Sequence, residues 1–255
     1  MTQVHPSAAQ GFTAAASFYA RGRPDYPKAL LEWLTGKLGL GPGRTCVDLG
    51  AGTGKSARFA ARTGAEVVAV EPVAAMREQL AAALPGIRVL DGTAQAMPLP
   101  GQCADAVLCA TAFHWFASAE TLAEIHRVLR PGGALGLVWN VRDESVDWVA
   151  EISALTNPYQ GDTPRHRSME WRRPFDGRLF TDLEETVLPY AHVGPPGEII
   201  VDRILSVSFI ARQPEAERNR VERALRDLIE RHPDLRGRET VSFPYHTHAY
   251  HARRR

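Results

Sequence analysis

Residues 47–56 read Val47-Asp-Leu-Gly-Ala-Gly-Thr-Gly-Lys-Ser56. An apolar run at 45–49 leads into three glycines at alternate positions, and a stretch of helical character, 56–63, follows them. Glycine suits such a junction because a Cβ would hold the backbone away from a ligand lying over the strand end. The pattern predicts a strand, a ligand-binding turn and a helix, although a tight turn that binds no ligand would show the same sequence pattern.

The spacing of the glycines separates the cofactor classes that use such a turn. In a phosphate-binding loop ending in Gly54-Lys-Ser56 the first glycine would stand at Leu49, so the nest of amides would be one residue short. In a dinucleotide fingerprint the third glycine would stand at Lys55. The carboxylate of Asp48 would repel a pyrophosphate, whereas it can accept a hydrogen bond from an ammonium group. The turn therefore favours a cofactor that carries an amino group and no phosphates.

The same alternation of strands and helices continues along the chain. We predict buried strands at 45–49, 66–70, 87–90, 104–110 and 133–139, separated by helices at 56–63, 73–84 and 119–129, after a first helix at 28–38. Five such strands joined by helices form a parallel, doubly wound α/β sheet. Beyond Asn140 the segment 141–182 has no regular pattern. We expect strands at 183–190 and 240–251 to close the same sheet, with helices at 197–212 and 216–231 forming a cap.

Length, charge and cysteine content limit the other possibilities. The chain has 255 residues, 44% of them apolar, which is enough for one large core. Its 30 Lys and Arg against 29 Asp and Glu give a net charge of +1, which argues against a nucleic-acid partner. A secretory signal pattern and a membrane-length apolar run are both missing, and three cysteines lack metal-ligand spacing. We expect a soluble, cytoplasmic protein with neither nucleic acid nor membrane as partner.

Two further segments and the chain ends connect the turn to a known family. The form Asp48-Leu-Gly-Ala-Gly-Thr-Gly54 resembles the first motif of class I S-adenosylmethionine (SAM) dependent methyltransferases. Cys109-Ala-Thr-Ala-Phe-His-Trp-Phe116 and Glu124-Ile-His-Arg-Val-Leu-Arg-Pro-Gly-Gly133 resemble segments of the UbiE-like, type 11 group. The chain ends are similar to trans-aconitate-methyltransferase-like proteins.

The resemblance implies a Rossmann-like class I methyltransferase fold. This fold is a seven-stranded, mostly parallel sheet with an antiparallel last strand and a small helical cap. It divides the chain into an N-terminal flap and lead-in helix (1–43), a SAM-binding core (44–140), and a cap with closing strands (141–255), all in one domain. The implied reaction moves a methyl group from SAM to a small-molecule acceptor.

The resemblance also implies which residues contact SAM. Glu71, at the end of the second strand, would bind the ribose hydroxyls, and Arg21 in the flap would approach the cofactor carboxylate, a pairing that suits a guanidinium. Thr93 and Gln95 stand where the family has Asp and Glu. The full set of expected cofactor residues is Tyr19, Arg21, Asp48, Gly50, Ala51, Gly52, Thr53, Glu71, Pro72, Met76, Thr93, Ala94, Gln95, Ala110, Thr111 and Trp115.

His114 is the candidate catalytic residue. Methyl transfer from SAM needs a base only where the acceptor is a hydroxyl or amine that still carries its proton. His114 follows the fourth strand and can serve as that base, or it can act as a hydrogen-bonded residue beside the cofactor without proton transfer. His246 and His248 share one face of a strand, but no third ligand lies near them in sequence, so we predict no metal.

The acceptor has a weaker signal in the sequence. Four arginines make the segment 139–171 and its continuation basic: Arg165, Arg167, Arg172 and Arg173. They indicate an anionic acceptor such as a carboxylate, or simply a solvated charged loop. An NAD(P)-dependent oxidoreductase and a SAM-binding regulator without activity are the alternative functions.

Overall fold

A computed structural model describes residues 23–255, so the expected cofactor residues Tyr19 and Arg21 lie outside the described range. Its centre is a seven-stranded sheet of order β3-β2-β1-β4-β5-β7-β6. Strands β1 to β5 are parallel, and β7 is antiparallel to both of its neighbours. The strands are β1 (Thr45–Leu49), β2 (Glu66–Val70), β3 (Arg88–Leu90), β4 (Ala104–Ala110), β5 (Leu129–Arg142), β6 (Glu184–Gly194) and β7 (Val241–Arg253).

Helices cover both faces of this sheet. They are α1 (Ala29–Gly36), α2 (Lys55–Ala61), α3 (Ala74–Ala83), α4 (Ala119–Val128), α5 (Asp147–Thr156), α6 (Arg203–Leu205), α7 (Ser208–Ala211) and α8 (Glu215–Arg231). One apolar cluster joins α4 to one face of the central strands, and another joins α1 and α2 to the other face. This arrangement confirms the predicted Rossmann-like fold. No helix within residues 23–255 is long and apolar enough to cross a bilayer.

The chain pattern explains why the core elements form where they do. Strand β4 is almost continuously buried, as expected for a strand covered on both faces. Helix α4 begins after Ser118, whose side chain accepts a hydrogen bond from the Thr121 backbone N–H at 3.2 Å and so caps the helix. Its apolar residues Leu122, Ile125 and Val128 then recur on one face and are buried.

The cap differs from the sequence-based prediction in two places. The segment expected to be irregular contains α5, whose residues Trp148, Val149 and Ile152 are buried against the cap helices. The single helix expected at 197–212 is broken. A π-helical turn at Gly197–Asp202 runs into α6, and Val207 is extended before α7. Ser206 favours the break because its hydroxyl donates to the Arg203 carbonyl at 2.8 Å, a local alternative to helical bonding.

The strand order fixes the position of the site. Strand β1 lies between β2 and β4 in the sheet. The connection from β1 therefore runs to one side of the sheet, whereas the connection from β3 to β4 brings the chain back to the other side of β1. A crevice opens outside the carboxyl ends of the strands at such a switch point. The glycine turn follows β1 directly and therefore lies at the edge of this crevice.

Candidate functional site

A cavity occupies the crevice at the carboxyl ends of β1, β2, β4 and β5. The N-terminal segment closes one side of it through Arg23, Pro24 and Tyr26, and Arg203 of α6 reaches it from the cap. Thirteen of the expected cofactor residues line this cavity: Gly50, Ala51, Gly52, Thr53, Glu71, Pro72, Met76, Thr93, Ala94, Gln95, Ala110, Thr111 and Trp115. The structure thus brings together residues that are up to 65 positions apart in the chain, Gly50 and Trp115 being the extremes.

The glycine turn is shaped by its protein neighbours as well as by any ligand. Gly50 has φ +70°, a conformation that a side chain disfavours. A Cβ at this position would lie 2.9 Å from the Ala112 Cβ and 3.3 Å from the Phe116 ring. The Gly50 N–H donates to the Val70 carbonyl at 2.8 Å, which ties the turn to β2. Glycine at position 50 is therefore required to let the segment after β4 close onto the turn.

Glu71 is the buried acidic group of the cavity. It is 5% exposed, and its two oxygens accept hydrogen bonds from the backbone N–H groups of Gly52 and Val73, each at 2.9 Å. Burial raises the pKa of Glu71, although the two amide donors and Arg77 act in the opposite direction. Each carboxylate oxygen keeps one lone pair free, so the group can accept hydrogen bonds from two further hydroxyls.

Asp48 lies one layer below the cavity. It is fully buried and is not among the lining residues; one of its oxygens accepts a hydrogen bond from the Ser56 hydroxyl at 2.7 Å, and the other has no partner. Burial, with a smaller effect of Glu71, raises the pKa of Asp48 to about 7. Ser56 does line the cavity. The hydroxyl of Ser56 therefore lies between the Asp48 carboxylate and the cavity. The sequence predicted instead that Asp48 contacts the cofactor directly or through water.

The segment after β4 carries an unusual backbone conformation. Thr111 has φ +56°, which is a genuine outlier for a β-branched residue. Its N–H donates to the Val138 carbonyl at 2.6 Å, and a 3₁₀ turn, Phe113–Trp115, follows. Conformations of this kind persist where the surrounding structure holds them, often at ligand sites.

His114 lies in this 3₁₀ turn but does not line the cavity. Its Nδ1 atom accepts a hydrogen bond from Trp139 Nε1 at 2.9 Å. Burial lowers the pKa of His114 to about 3, and His166, Arg165 and Arg23 act in the same direction. The imidazole is therefore neutral at physiological pH.

Sequence reasoning missed several polar residues that line the cavity, among them Arg23, Lys55, Ser56, Asn140 and Arg203. Lys55 Nζ donates to the Arg23 carbonyl, and burial lowers the pKa of Lys55 to about 8. Asn140 donates to the Asp25 carbonyl at 2.8 Å and accepts from the Thr247 hydroxyl at 2.6 Å. Asn140 directly follows the predicted strand 133–139, and Lys55 directly follows the glycine turn, so both could have been found on that basis. Arg203 carries no such signal, because it depends on the fold of the cap.

The four arginines expected near the acceptor lie in different surroundings in the structure. Arg165 is half-buried, and its guanidinium lies 5.4 Å from the centre of the Phe209 ring. Arg172 lies over the rings of Trp171 and Tyr250. Arg167 is exposed, and Arg173 pairs with Glu170 at 2.6 Å on the surface. None of these four lines the cavity, and the expected contact with an acceptor stays a prediction.

Of the two histidines considered as metal ligands, His248 has a carboxylate partner in the structure. His248 Nδ1 lies 2.7 Å from Glu185 Oε1, and His246 is half-buried on the same face of β7. Within residues 23–255, three potential ligands converge only at Asp147, His232 and Asp234, whose ligand atoms lie within 4.8 Å of one another. Both aspartates of this group are exposed, and it includes neither histidine. The absence of a metal stays a prediction.

The fold and the site define a class of protein. A glycine turn after β1, a buried acid at the end of β2, and a seven-stranded sheet with one antiparallel strand are the features of the class I methyltransferase fold.

Comparison with known proteins agrees with this class. Residues 47–137 match the family model described as a methyltransferase domain of type 11. An uncharacterized methyltransferase of Mycobacterium tuberculosis is 37% identical over 236 residues, which cover 92% of each chain. An uncharacterized methyltransferase-like protein of Schizosaccharomyces pombe is 34% identical over 240 residues, covering 94% of this chain and 93% of the other.

A solved structure has a similar fold at low sequence identity. It is a phosphoethanolamine N-methyltransferase of Haemonchus contortus in complex with phosphomonomethylethanolamine and S-adenosylhomocysteine (SAH), with a TM-score of 0.56 and 15% identity over 96% of this chain and 57% of that one. The relatives of high coverage settle the family. The chain belongs to the methyltransferases, with a type 11 methyltransferase domain at residues 47–137, and is an enzyme of that family.

Proposed function

We propose that this methyltransferase binds SAM in the cavity at the end of β1 and transfers its methyl group to a small, anionic acceptor. The observation that carries the SAM assignment is Glu71, a buried carboxylate in the cavity whose oxygens each retain a lone pair. Such a group matches the two neighbouring hydroxyls of a ribose and would repel a phosphate. Asp48, buried behind Ser56, adds negative charge at the same end of the cavity where the pH exceeds its raised pKa of about 7.

The remaining cofactor residues fit the other parts of SAM. Met76 and Pro72 offer apolar surface beside Glu71 for the adenine ring, and Thr93 to Gln95 offer polar groups at its edge. Arg23 and Lys55 supply positive charge for the cofactor carboxylate. Bound there, SAM supplies an electrophilic methyl group; a lone pair of the acceptor forms the new bond as the carbon–sulfur bond breaks and its electrons remain on sulfur. The protein contributes mainly by holding the acceptor in line with that bond.

Three arginines support an anionic acceptor. Arg142, Arg165 and Arg203 come from β5, the segment between α5 and β6, and α6. Burial lowers the pKa of Arg142 and of Arg165; the charge of Arg203 acts in the same direction on both, and that of Glu144 in the opposite direction. Within the described residues none of the three forms an ion pair with a carboxylate. Arg142 lies 3.4 Å from the Thr156 hydroxyl, and Arg165 donates to the Gln160 amide oxygen at 3.0 Å.

Arg203 is the least satisfied of these arginines. It is 8% exposed and lines the cavity, yet its Nε and Nη1 atoms have no hydrogen-bond partner. Guanidinium groups held close together repel one another, although the exposed Glu144 offsets part of this charge, and buried donors without acceptors are destabilising. An anionic ligand relieves both penalties. A carboxylate acceptor matches the guanidinium geometry.

Calorimetry tests the cofactor assignment. We expect SAM and SAH to bind in the micromolar range or tighter, and NAD not to bind. Tight NAD binding without SAM binding would favour the oxidoreductase and overturn the proposal. Incubation of the enzyme with methyl-labelled SAM and a panel of mono-, di- and tricarboxylates, amines and phenols then identifies the acceptor. Labelled product from the carboxylates is expected. Strong SAM binding with no product from any compound would favour a regulator.

A pair of variants tests the role of the arginines. Arg203→Gln should weaken the labelled acceptor's apparent affinity by about 10- to 100-fold, as expected for the loss of a charged hydrogen-bond partner. Arg173→Gln is the matched control, because this arginine is 77% exposed and pairs with Glu170 on the surface. Equal acceptor affinities for the two variants would remove Arg203 from the acceptor site.

Three free thiols accord with a cytoplasmic location, which we also propose. Cys46 and Cys109 are buried, and Cys103 is partly buried; none forms a disulfide. Free thiols are usual in a reducing compartment.

A further inference from the structure

The hydrogen bond between Trp139 and His114 fixes the tautomer of the histidine. An indole N–H can only donate, so the Nδ1 atom of His114, 2.9 Å away, must present a lone pair. In a neutral imidazole the proton then stands on Nε2. Trp139 is itself held firmly. It is buried in β5, with its ring centre 4.7 Å from that of Trp171 and 4.9 Å from that of His166.

The Nε2 side of His114 is available to a ligand. Within residues 23–255, the His114 ring forms a hydrogen bond at Nδ1 and none at Nε2. His114 is half-buried. The flanking residues Ala112 and Trp115 line the cavity, so His114 lies where the cavity meets the cap.

Three basic side chains act electrostatically on His114. They are Arg23 from the N-terminal segment and Arg165 and His166 from the segment between α5 and β6, and His166 is itself held neutral because burial lowers its pKa to about 4. Burial of the ring and these groups oppose a second proton on the imidazole of His114, and its pKa is about 3. Arg165, one of the arginines assigned to the anionic acceptor, thus also helps to keep the histidine neutral.

We propose that Trp139 is a positioning residue that holds His114 as the Nε2–H tautomer, and that His114 donates this hydrogen to the anionic acceptor instead of taking a proton from it. The inference rests on the proposed function, since it needs a negatively charged acceptor. An ionised carboxylate carries no proton to remove. If His114 donates to one carboxylate oxygen, the other oxygen remains free as the nucleophile, and no proton moves in the reaction.

Nitrogen NMR of the SAH-bound protein, labelled with ¹⁵N in His and Trp, tests the tautomer directly. We expect a scalar coupling through the hydrogen bond between Trp139 Nε1 and His114 Nδ1, and an Nε2 that stays protonated and unchanged from pH 8 to pH 5. A proton on Nδ1, or an imidazolium form at pH 6, would overturn the proposal. This measurement needs no acceptor, so its failure is distinguishable from a failure of the proposed function.

The Trp139→Phe variant tests the positioning role. Without the indole donor, His114 should populate both tautomers and titrate closer to the ordinary range. A His114 spectrum identical to that of the wild type would remove Trp139 from the proposal. If this variant does not fold, the coupling in the wild-type protein still decides whether the hydrogen bond exists.

Titration of glutarate, a dicarboxylate, into the same SAH-bound sample tests the contact with an anion. The His114 Nε2 resonance should shift more than the resonances of His246, which lies on β7 away from the cavity lining. Glutarate binding that leaves Nε2 unmoved, or no binding at all, would overturn the donor role.

Substitutions of His114 separate a donor from a base. Glutamine cannot act as a base, but the side-chain amide in His114→Gln can donate from nearly the same position, so this variant should keep most of the acceptor activity found with labelled SAM. His114→Phe should lose tenfold or more in kcat/KM while its affinity for SAH stays unchanged. Equal losses in both variants, with a wild-type pH profile that follows an imidazole, would show that His114 is a base.

Discussion

The buried acid beneath the glycine turn should make the stability of the ligand-free protein depend on pH near neutrality. Burial raises the pKa of Asp48 from its ordinary 3.8 to about 7, so the folded protein binds this proton more tightly than the unfolded chain does. The stabilisation is complete below pH 3.8 and is lost as the pH rises through about 7. The ligand-free enzyme should therefore become less stable between pH 6 and pH 8.

The size of the effect follows from the two pKa values. With a folded-state pKa of about 7, the free energy of unfolding falls by about 1.4 kcal/mol between pH 6 and pH 8. For a protein of this size that is about 3–6 °C in the melting temperature. The variant Asp48→Asn cannot titrate, but its amide oxygen can still accept the hydrogen bond from the Ser56 hydroxyl.

Urea unfolding at pH 6, 7 and 8 measures the effect in the wild type and in Asp48→Asn. The difference between the two proteins isolates Asp48, because other groups such as Lys55 contribute equally to both. Asp227→Asn, on the exposed face of α8, is the control and should keep the wild-type dependence. If Asp48→Asn lost as much stability as the wild type between pH 6 and pH 8, Asp48 would be ionised throughout, and the argument from burial would be refuted.

Three further substitutions test the cavity. Glu71→Gln should weaken SAH binding in calorimetry by about 10- to 100-fold, because it replaces a charged acceptor of hydrogen bonds; Glu66→Gln, at the exposed start of the same strand, should leave it unchanged. Gly50→Ala should lower the free energy of urea unfolding by about 1–3 kcal/mol, since its Cβ would lie 2.9 Å from the Ala112 Cβ. An unchanged urea midpoint would show that the segment after β4 can shift without loss of stability. Thr111→Gly should raise the free energy of unfolding by about 1 kcal/mol through relief of the positive φ, yet weaken SAH binding; a lower urea midpoint would show that Thr111 is unstrained.

The sequence was most informative where backbone geometry alone sets the structure. Strands β1, β2 and β4 have the predicted bounds, because continuous burial on both faces leaves an apolar run with sharp ends. Parallel strands have their carboxyl ends at the same edge of the sheet, so acidic and glycine residues that follow these strands must lie at the crevice. Glu71 and Gly50 could therefore be assigned to the cavity without knowledge of any side-chain contact.

The cap was less predictable because its structure depends on tertiary packing. Helix α5 was missed although Trp148, Val149 and Ile152 have helical spacing, since the charged and Pro-rich residues around them obscured a pattern of only ten residues. The break after α6 depends on a hydrogen bond from Ser206, which a periodic pattern cannot show. The position of Arg203 follows from this break, so the acceptor side of the cavity was not visible in the sequence.

The charges of the site are consequently divided between two sources with different effects on the reaction. Carboxylates from the sheet, Asp48 and Glu71, lie at the cofactor end, where they favour the positive charge of SAM. In the proposed function, arginines from the cap lie on the acceptor side. If the acceptor is a carboxylate, methylation removes one negative charge from it, and the attraction of Arg203 and its neighbours falls at the same moment. The arginines then bind the substrate more tightly than the ester product, which favours product release. If the cofactor site is fixed by strand ends and the acceptor site by cap packing, as we propose, the cap can change its acceptor without disturbing SAM binding.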